Sequence, residues 1–153
     1  MSIYLVQHGK SLPEHLDPDR GLSEDGRRDS ERIAGVAADY GIGVSSIVHS
    51  SKTRAIQTAS IFAELLKPPS GMLEKGGMGP KDDVIDFAAG LNIDSGIMYV
   101  GHLPFMDRLA SYLITGSADI RVIQFQNSGI VCLDRQTGTG RFVIKWSIMP
   151  VIE

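Results

Sequence analysis

Three short, largely apolar segments, at residues 3–6, 46–49 and 97–100, each break off into a polar cluster. Such runs suit strands buried on both faces, because a sheet covered on both sides has no solvent face to mark with alternating polar residues. The stretches between them carry helical periodicity. Ser23 stands as an N-cap, Glu24 and Asp25 lie at the positive end, and Ile33, Val36, Ala37 and Tyr40 form a stripe that Gly41 stops. A second helix is expected over residues 52–66, with Ala55, Ala59, Phe62 and Leu66 on one face and Pro68-Pro69 as its end. Residues 70–80 are glycine-rich and read as a loop. Asp82 or Asp83 opens a short helix that closes near Gly90, and Pro104 fits the first turn of another that runs to about Thr115. Residues 121–134 and 141–148 read as strands joined by the turn-rich RQTGTG. Strands alternating with helices predict parallel crossovers. The expected fold is therefore α/β: a single three-layer domain over residues 1–153, with a mostly parallel central sheet, helices on both faces and antiparallel strands at the end.

Several broad classes are disfavoured. A net charge of −3 argues against a general nucleic-acid partner. No apolar run approaches the roughly 20 residues of a membrane span, and no basic-then-apolar leader opens the chain. The single cysteine, Cys132, permits no internal disulfide and fits a cytoplasmic setting.

Ligands of open α/β sheets bind beyond the carboxyl ends of the strands. Here those ends read QHGKS, HSSKTR and GHLP. If the strands are neighbours, His8, Arg54 and His102 meet at one edge, with Ser11, Ser50 and Ser51 close by. A helix that starts after Leu103 would add free N–H groups and a positive dipole end. This describes an anion pocket holding two imidazoles. Neutral imidazole is a good nucleophile toward phosphorus, and a guanidinium clamps phosphoryl oxygens in pairs. A second imidazole can donate to an oxygen that gains charge. The candidate catalytic set is His8, Arg54 and His102, with Gln7, Ser11, Ser51 and Leu103 as candidate phosphate contacts; no metal or cofactor is required.

The pieces YLVQHGKS, LSEDGRRDSERIA, SSKTRAIQTA, YVGHLPFMDRLASYL and NSGIVCL resemble, in order, those of the histidine phosphatase superfamily. The short chain is most similar to the SixA-type phosphohistidine phosphatases, since it lacks the insertions of the mutases and larger acid phosphatases. The resemblance implies a phosphoglycerate mutase-like fold. It implies that His8 becomes phosphorylated, that Arg54 and His102 bind the phosphoryl group, and that water then releases inorganic phosphate. The implied partner is a phosphohistidine-bearing protein or a small phosphorylated substrate. In many relatives a carboxylic acid protonates the leaving group; Glu74, Asp82 and Asp83 lie in that region of the chain, none in a clear motif. A phosphohistidine substrate needs less acid help, because its leaving group is an imidazole.

One position departs from the family pattern: Gln7 stands where relatives have Arg. A neutral amide replaces a charged fork of donors, at a cost of about 1 kcal/mol or more per hydrogen bond. Three readings follow: a metal-independent phosphatase, a phospho-ligand binding module of little or no activity, and a small-molecule phosphomonoesterase. Arg20, Arg27, Arg28 or Lys10 could supply the missing charge.

Plainer roles also fit. His49 suits packing beneath the pocket or a backbone hydrogen bond, and His15 a solvated loop. A zinc site from His8, His49 and His102 lacks the close ligand spacing usual for that metal. Ser11 and Ser51 suit turn caps as well as phosphate. Arg27, Arg28 and Arg32 suit a solvated helix face, and Cys132 a buried hydrophobe. Asn127 and Ser128 fit either a turn or the pocket wall, and residues 74–83 either a lid or an unstructured loop.

Overall fold

In the computed structural model, which describes residues 2–93 and 95–152, β1 (Ile3–Gln7) lies inside a six-stranded sheet. Its parallel neighbour is β4 (Ile97–Gly101), and beyond that lie β2 (Ser46–His49) and the short edge strand β3 (Met72–Glu74). On its other side β5 (Ile130–Arg135) and β6 (Phe142–Ile148) complete the order β3-β2-β4-β1-β5-β6. β5 runs antiparallel to β1, and β6 antiparallel to β5. The fold is the expected α/β sandwich with a mixed, mostly parallel sheet.

Alternate residues of β1 feed two separate cores, as strand geometry demands. Tyr4 and Val6 pack with α1 (Glu24–Asp39) and α2 (Thr53–Leu66) through Ile33, Ala37, Ala59 and Phe62. Ile3 and Leu5 pack on the opposite face with α3 (Val84–Ala89) and α4 (Phe105–Thr115) through Phe87, Phe105 and Leu109. Burying Phe62 or Phe105 fully contributes roughly 1.5–3 kcal/mol each.

The structure departs from the sequence expectations in three places. The 70–80 segment is not all loop: β3 pairs with β2 in parallel, Met72 opposite Ile47. Exposed and three residues long, it offers no apolar pattern to read. The strand expected over 121–134 begins only at Ile130; the preceding residues are irregular. In α1, Val36 and Tyr40 face solvent, and the buried face runs instead through Gly26, Ser30, Ile33, Ala34 and Ala37. Gly26 and Ser30 carry the first part of that face, which hides it from a hydrophobic stripe. Of the two residues expected to open the short helix, Asp83 is the one that caps it, ahead of Val84.

α1 begins against the loop that follows β1. A Cβ on Gly26 would stand 2.1 Å from the carbonyl oxygen of Lys10, so no other residue fits without moving that loop. Gly9 is similarly confined, with Ser30 Oγ 2.9 Å from a hypothetical Cβ. Gly26→Ala is expected to destabilise the protein by about 1–3 kcal/mol through overpacking, despite alanine's better helix propensity; urea unfolding of the variant measures it.

Candidate active site

Register alone brings the two imidazoles together. Gln7 and Gly101, the last residues of β1 and β4, are partners across the parallel pair, so His8 and His102 emerge side by side. Their ring centroids are 5.0 Å apart. β2 lies on the other side of β4, and α2 follows it after a three-residue turn, which brings Arg54 over the same edge. Its Nε–H donates to His8 Nε2 at 3.3 Å.

The backbone around His8 is tied down on several sides. His8 N–H donates to Gly101 O at 3.0 Å, and Ser128 N–H donates to Gln7 O at 2.9 Å. Gly9 N–H donates to Thr58 Oγ1 at 2.9 Å, while Asn127 Nδ2 donates to His8 O at 2.9 Å. The ring itself is oriented through Nδ1, which lies 2.7 Å from Gly9 O. A carbonyl only accepts, so Nδ1 carries the proton and Nε2 keeps its lone pair. The Arg54 hydrogen bond to Nε2 requires the same tautomer. His8 therefore presents the nitrogen an electrophile would meet.

Both rings are held neutral. Burial pushes the His8 pKa down to about 4, aided by the charges of Arg54 and Arg20 and opposed by the bond to Gly9. His102 is also lowered to about 4, by burial first and then by His8, Arg54 and Lys52. Arg20, in the loop before α1, is thus the extra cation that acts on His8. It has φ 50°, a left-handed conformation that costs a non-glycine residue about 1–2 kcal/mol. The loop holds it there: Asp17 accepts from Asp19 N–H and Gly21 N–H, Ser11 bridges Leu22, and Leu22 N–H donates to Gln57 Oε1. Arg20 and Arg54 line an open cavity of about 380 Å³ with Ser51, Lys52, Glu14 and Asp19.

The remaining candidates divide. Gln7 is half-buried beside Gly101, and its Oε1 is buried without a hydrogen-bond partner among the described residues. Ser51 is exposed on the cavity wall. Ser11 is used in the bridge to Leu22. Leu103 packs its side chain on the α3/α4 core, so only its backbone is free for a ligand. Glu74 ends the exposed edge strand. Asp82 accepts from Gly79 N–H at 2.6 Å and lines a different cavity with Lys75 and Phe87. Neither carboxylate is brought to the imidazoles by any hydrogen bond. Of the four cations named for compensation, Arg28 pairs with Glu24 and Asp25, Lys10 lines a cavity with Asp29 and Asn127, and Arg27 is exposed on α1. His49 is buried, with Nδ1 2.9 Å from Ser50 O, and serves the backbone.

Sequence reading passed over Thr58 and gave Ser50 no definite place. Thr58 stands one helical turn after Arg54 and donates to its carbonyl, a spacing legible in TRAIQT. Ser50 is buried with Oγ 2.6 Å from His102 Nε2.

Residues 3–75 match the histidine phosphatase superfamily, branch 1. That match spans just under half of the chain. Among solved structures, it is similar to the protein histidine phosphatase SixA complexed with tungstate: TM-score 0.84, 22% identity, 98% of this chain and 97% of that one covered. A SixA-type protein from Agrobacterium tumefaciens aligns with TM-score 0.76 and 25% identity, over 97% of each chain. A mycobacterial glucosyl-3-phosphoglycerate phosphatase aligns with TM-score 0.72 and 15% identity, over 95% of this chain and 97% of that one. Comparison with curated proteins by sequence gives no match. The match covers the segments that carry His8 and Arg54; His102 lies beyond residue 75 and joins them through the fold. No helix of the described residues is long and apolar enough to cross a membrane.

The lowered histidine pKa values carry a stability consequence. An unfolded histidine titrates near 6.5, so between that pH and about 4 the unfolded chain binds protons that folded His8 and His102 refuse. Stability from this source is present above pH 6.5 and is lost as pH falls toward about 4. Urea midpoints measured from pH 7 to pH 4 should fall less steeply for His8→Asn than for the wild type.

Proposed function

We propose that this chain is a metal-independent phosphatase that works through a phosphohistidine on His8, with phosphohistidine in a protein as substrate. One observation carries the reading above the rest. The His8 ring is held neutral with its Nδ1 proton bonded to Gly9 O and its Nε2 lone pair under a guanidinium. That is the state a nucleophile for phosphorus needs, with a cation ready for the phosphoryl oxygens.

In the first step His8 Nε2 forms a bond to phosphorus while the substrate P–N bond breaks. The leaving imidazole departs neutral when its second nitrogen already carries a proton, so the step needs no carboxylic acid. Glu14 and Asp19 share the cavity with Arg20 and Arg54, but neither hydrogen-bonds to an imidazole among the described residues. This favours a phosphoramidate over a phosphate ester, whose alkoxide requires a proton. In the second step water adds to phosphorus and the P–Nε2 bond breaks. Dihydrogen phosphate leaves with both water hydrogens, and His8 regains its lone pair. Arg54, Arg20 and the N–H groups at the start of α2, which no side chain caps, balance the phosphoryl charge. Arg20 takes over part of the charge that Gln7 does not supply. The open cavity beside Arg54 suits a phosphorylated side chain presented by another protein.

Gln7 favours a second reading, a phospho-ligand binding module, because a neutral amide occupies a position at the phosphoryl edge. Incubation with a phosphohistidine protein in excess EDTA separates the two. Turnover, an acid-labile phosphoryl adduct and loss of both in His8→Asn support the enzyme. Stoichiometric binding without phosphate release supports the module. Faster release from sugar phosphates than from phosphohistidine assigns the site to small esters instead. Arg20→Ala should lower kcat/KM by about 10²-fold, the usual scale for one transition-state donor, while Arg27→Ala leaves it within a factor of two; steady-state phosphate release measures both.

A further inference from the structure

Ser50 directly follows β2 and opens the turn into α2, and its side chain is turned inward onto His102. The two are buried together, with Ser50 Oγ 2.6 Å from His102 Nε2. Lys52 N–H donates to the same oxygen at 3.4 Å, which occupies one of its lone pairs. The other ring nitrogen, Nδ1, is buried and has no hydrogen-bond partner among the described residues. His102 itself is 2% exposed. A ring with one nitrogen committed to a hydroxyl and the other to nothing is incomplete, because buried polar atoms are normally satisfied.

Two proton arrangements are available. If Nε2–H donated to Ser50, Nδ1 would hold a bare lone pair, and an anion brought against it would meet repulsion. If the Ser50 hydroxyl donates to Nε2, the ring hydrogen sits on Nδ1 and seeks an acceptor. Phosphoryl oxygens are acceptors, and Nδ1 is the ring nitrogen that remains for them. Taking the phosphoryl-transfer reading as given, we propose that Ser50 is a positioning residue: its hydroxyl donates to His102 Nε2, fixes the ring proton on Nδ1, and so makes His102 a hydrogen-bond donor to the bound phosphoryl group. The ring is neutral near pH 7, since burial and the neighbouring cations disfavour imidazolium, so only one nitrogen carries hydrogen and the choice of nitrogen has consequences. A neutral ring of the wrong tautomer would be present, correctly placed and unable to donate.

The test reads the tautomer directly. Nitrogen-15 NMR of the labelled wild-type protein at pH 7, with His102 assigned by loss of its signals in His102→Gln, should show a protonated Nδ1 and an unprotonated Nε2. Added vanadate should move the Nδ1 proton downfield. Ser50→Ala should redistribute the proton toward Nε2 and lower kcat roughly 10–100-fold, the scale of a misplaced acid–base group, with KM changed less than threefold. Ser50→Thr should restore the Nδ1 proton and most of the rate. A protonated Nε2 in the wild type, an Nδ1 proton unmoved by vanadate, or an unchanged tautomer in folded Ser50→Ala would overturn the proposal. The wild-type spectra decide even if the alanine variant fails to fold. They also separate the two readings: a protein without turnover that shows the Nδ1 proton and its vanadate shift refutes the phosphatase and leaves the role of Ser50 standing.

Discussion

The parallel pairing of β1 with β4 is the constraint on which the site depends. His8 N–H to Gly101 O is the last rung of that ladder, and it fixes how far each strand extends before its histidine. A slip of one residue would turn alternate side chains to the opposite face and separate the rings. Both strands are buried on two faces by different helix pairs, so such a slip would also expose two hydrophobic cores at once. The cost of that exposure is what makes the 5.0 Å ring separation a property of the fold and not of a flexible loop.

Charge at this edge is arranged in layers. The imidazoles sit deepest and are neutral because water is excluded; the guanidinium of Arg54 is less buried, and its own pKa is lowered by burial and by Arg20. Arg20, Arg54 and Lys52 crowd together here, and Glu14 and Asp19 share their cavity without an ion pair to either arginine among the described residues. Such a cluster is unfavourable by itself and becomes favourable around a dianion. Helix construction agrees with this distribution. α1 and α3 are capped by the side chains of Ser23 and Asp83, whereas α2 and α4, which follow the segments that carry Ser50 and His102, have no side-chain cap.

Much of this was legible in the sequence because the signals were local. Apolar runs ending in HG, SSKTR and GH marked both the strands and the chemistry, and the parallel order made their ends coincide. The parts that were not legible depend on long-range or weakly patterned contacts. β3 is three exposed residues whose only strand signature is its partner. The buried face of α1 uses Gly26 and Ser30, chosen for close approach to Lys10 and for a hydrogen bond to Ser128 that is 98 positions away. Arg20 gave no motif; its place near His8 comes from a left-handed backbone held by Asp17 and Gln57. Glu74 and Asp82 were proposed from their position along the chain, and the strand edge and turn that hold them became visible only in three dimensions.

The location of Arg20 bears on how such a protein can diverge. Its positive charge reaches the histidines from a ten-residue excursion closed at its neck by Ser11 and Leu22, whereas the histidines themselves are set by the sheet. Replacing the excursion would retune the electric field at His8 without disturbing a single ladder contact. Evolution of new preferences can then proceed by exchanging a small modular segment, while the supporting architecture passes unchanged from ancestor to descendant.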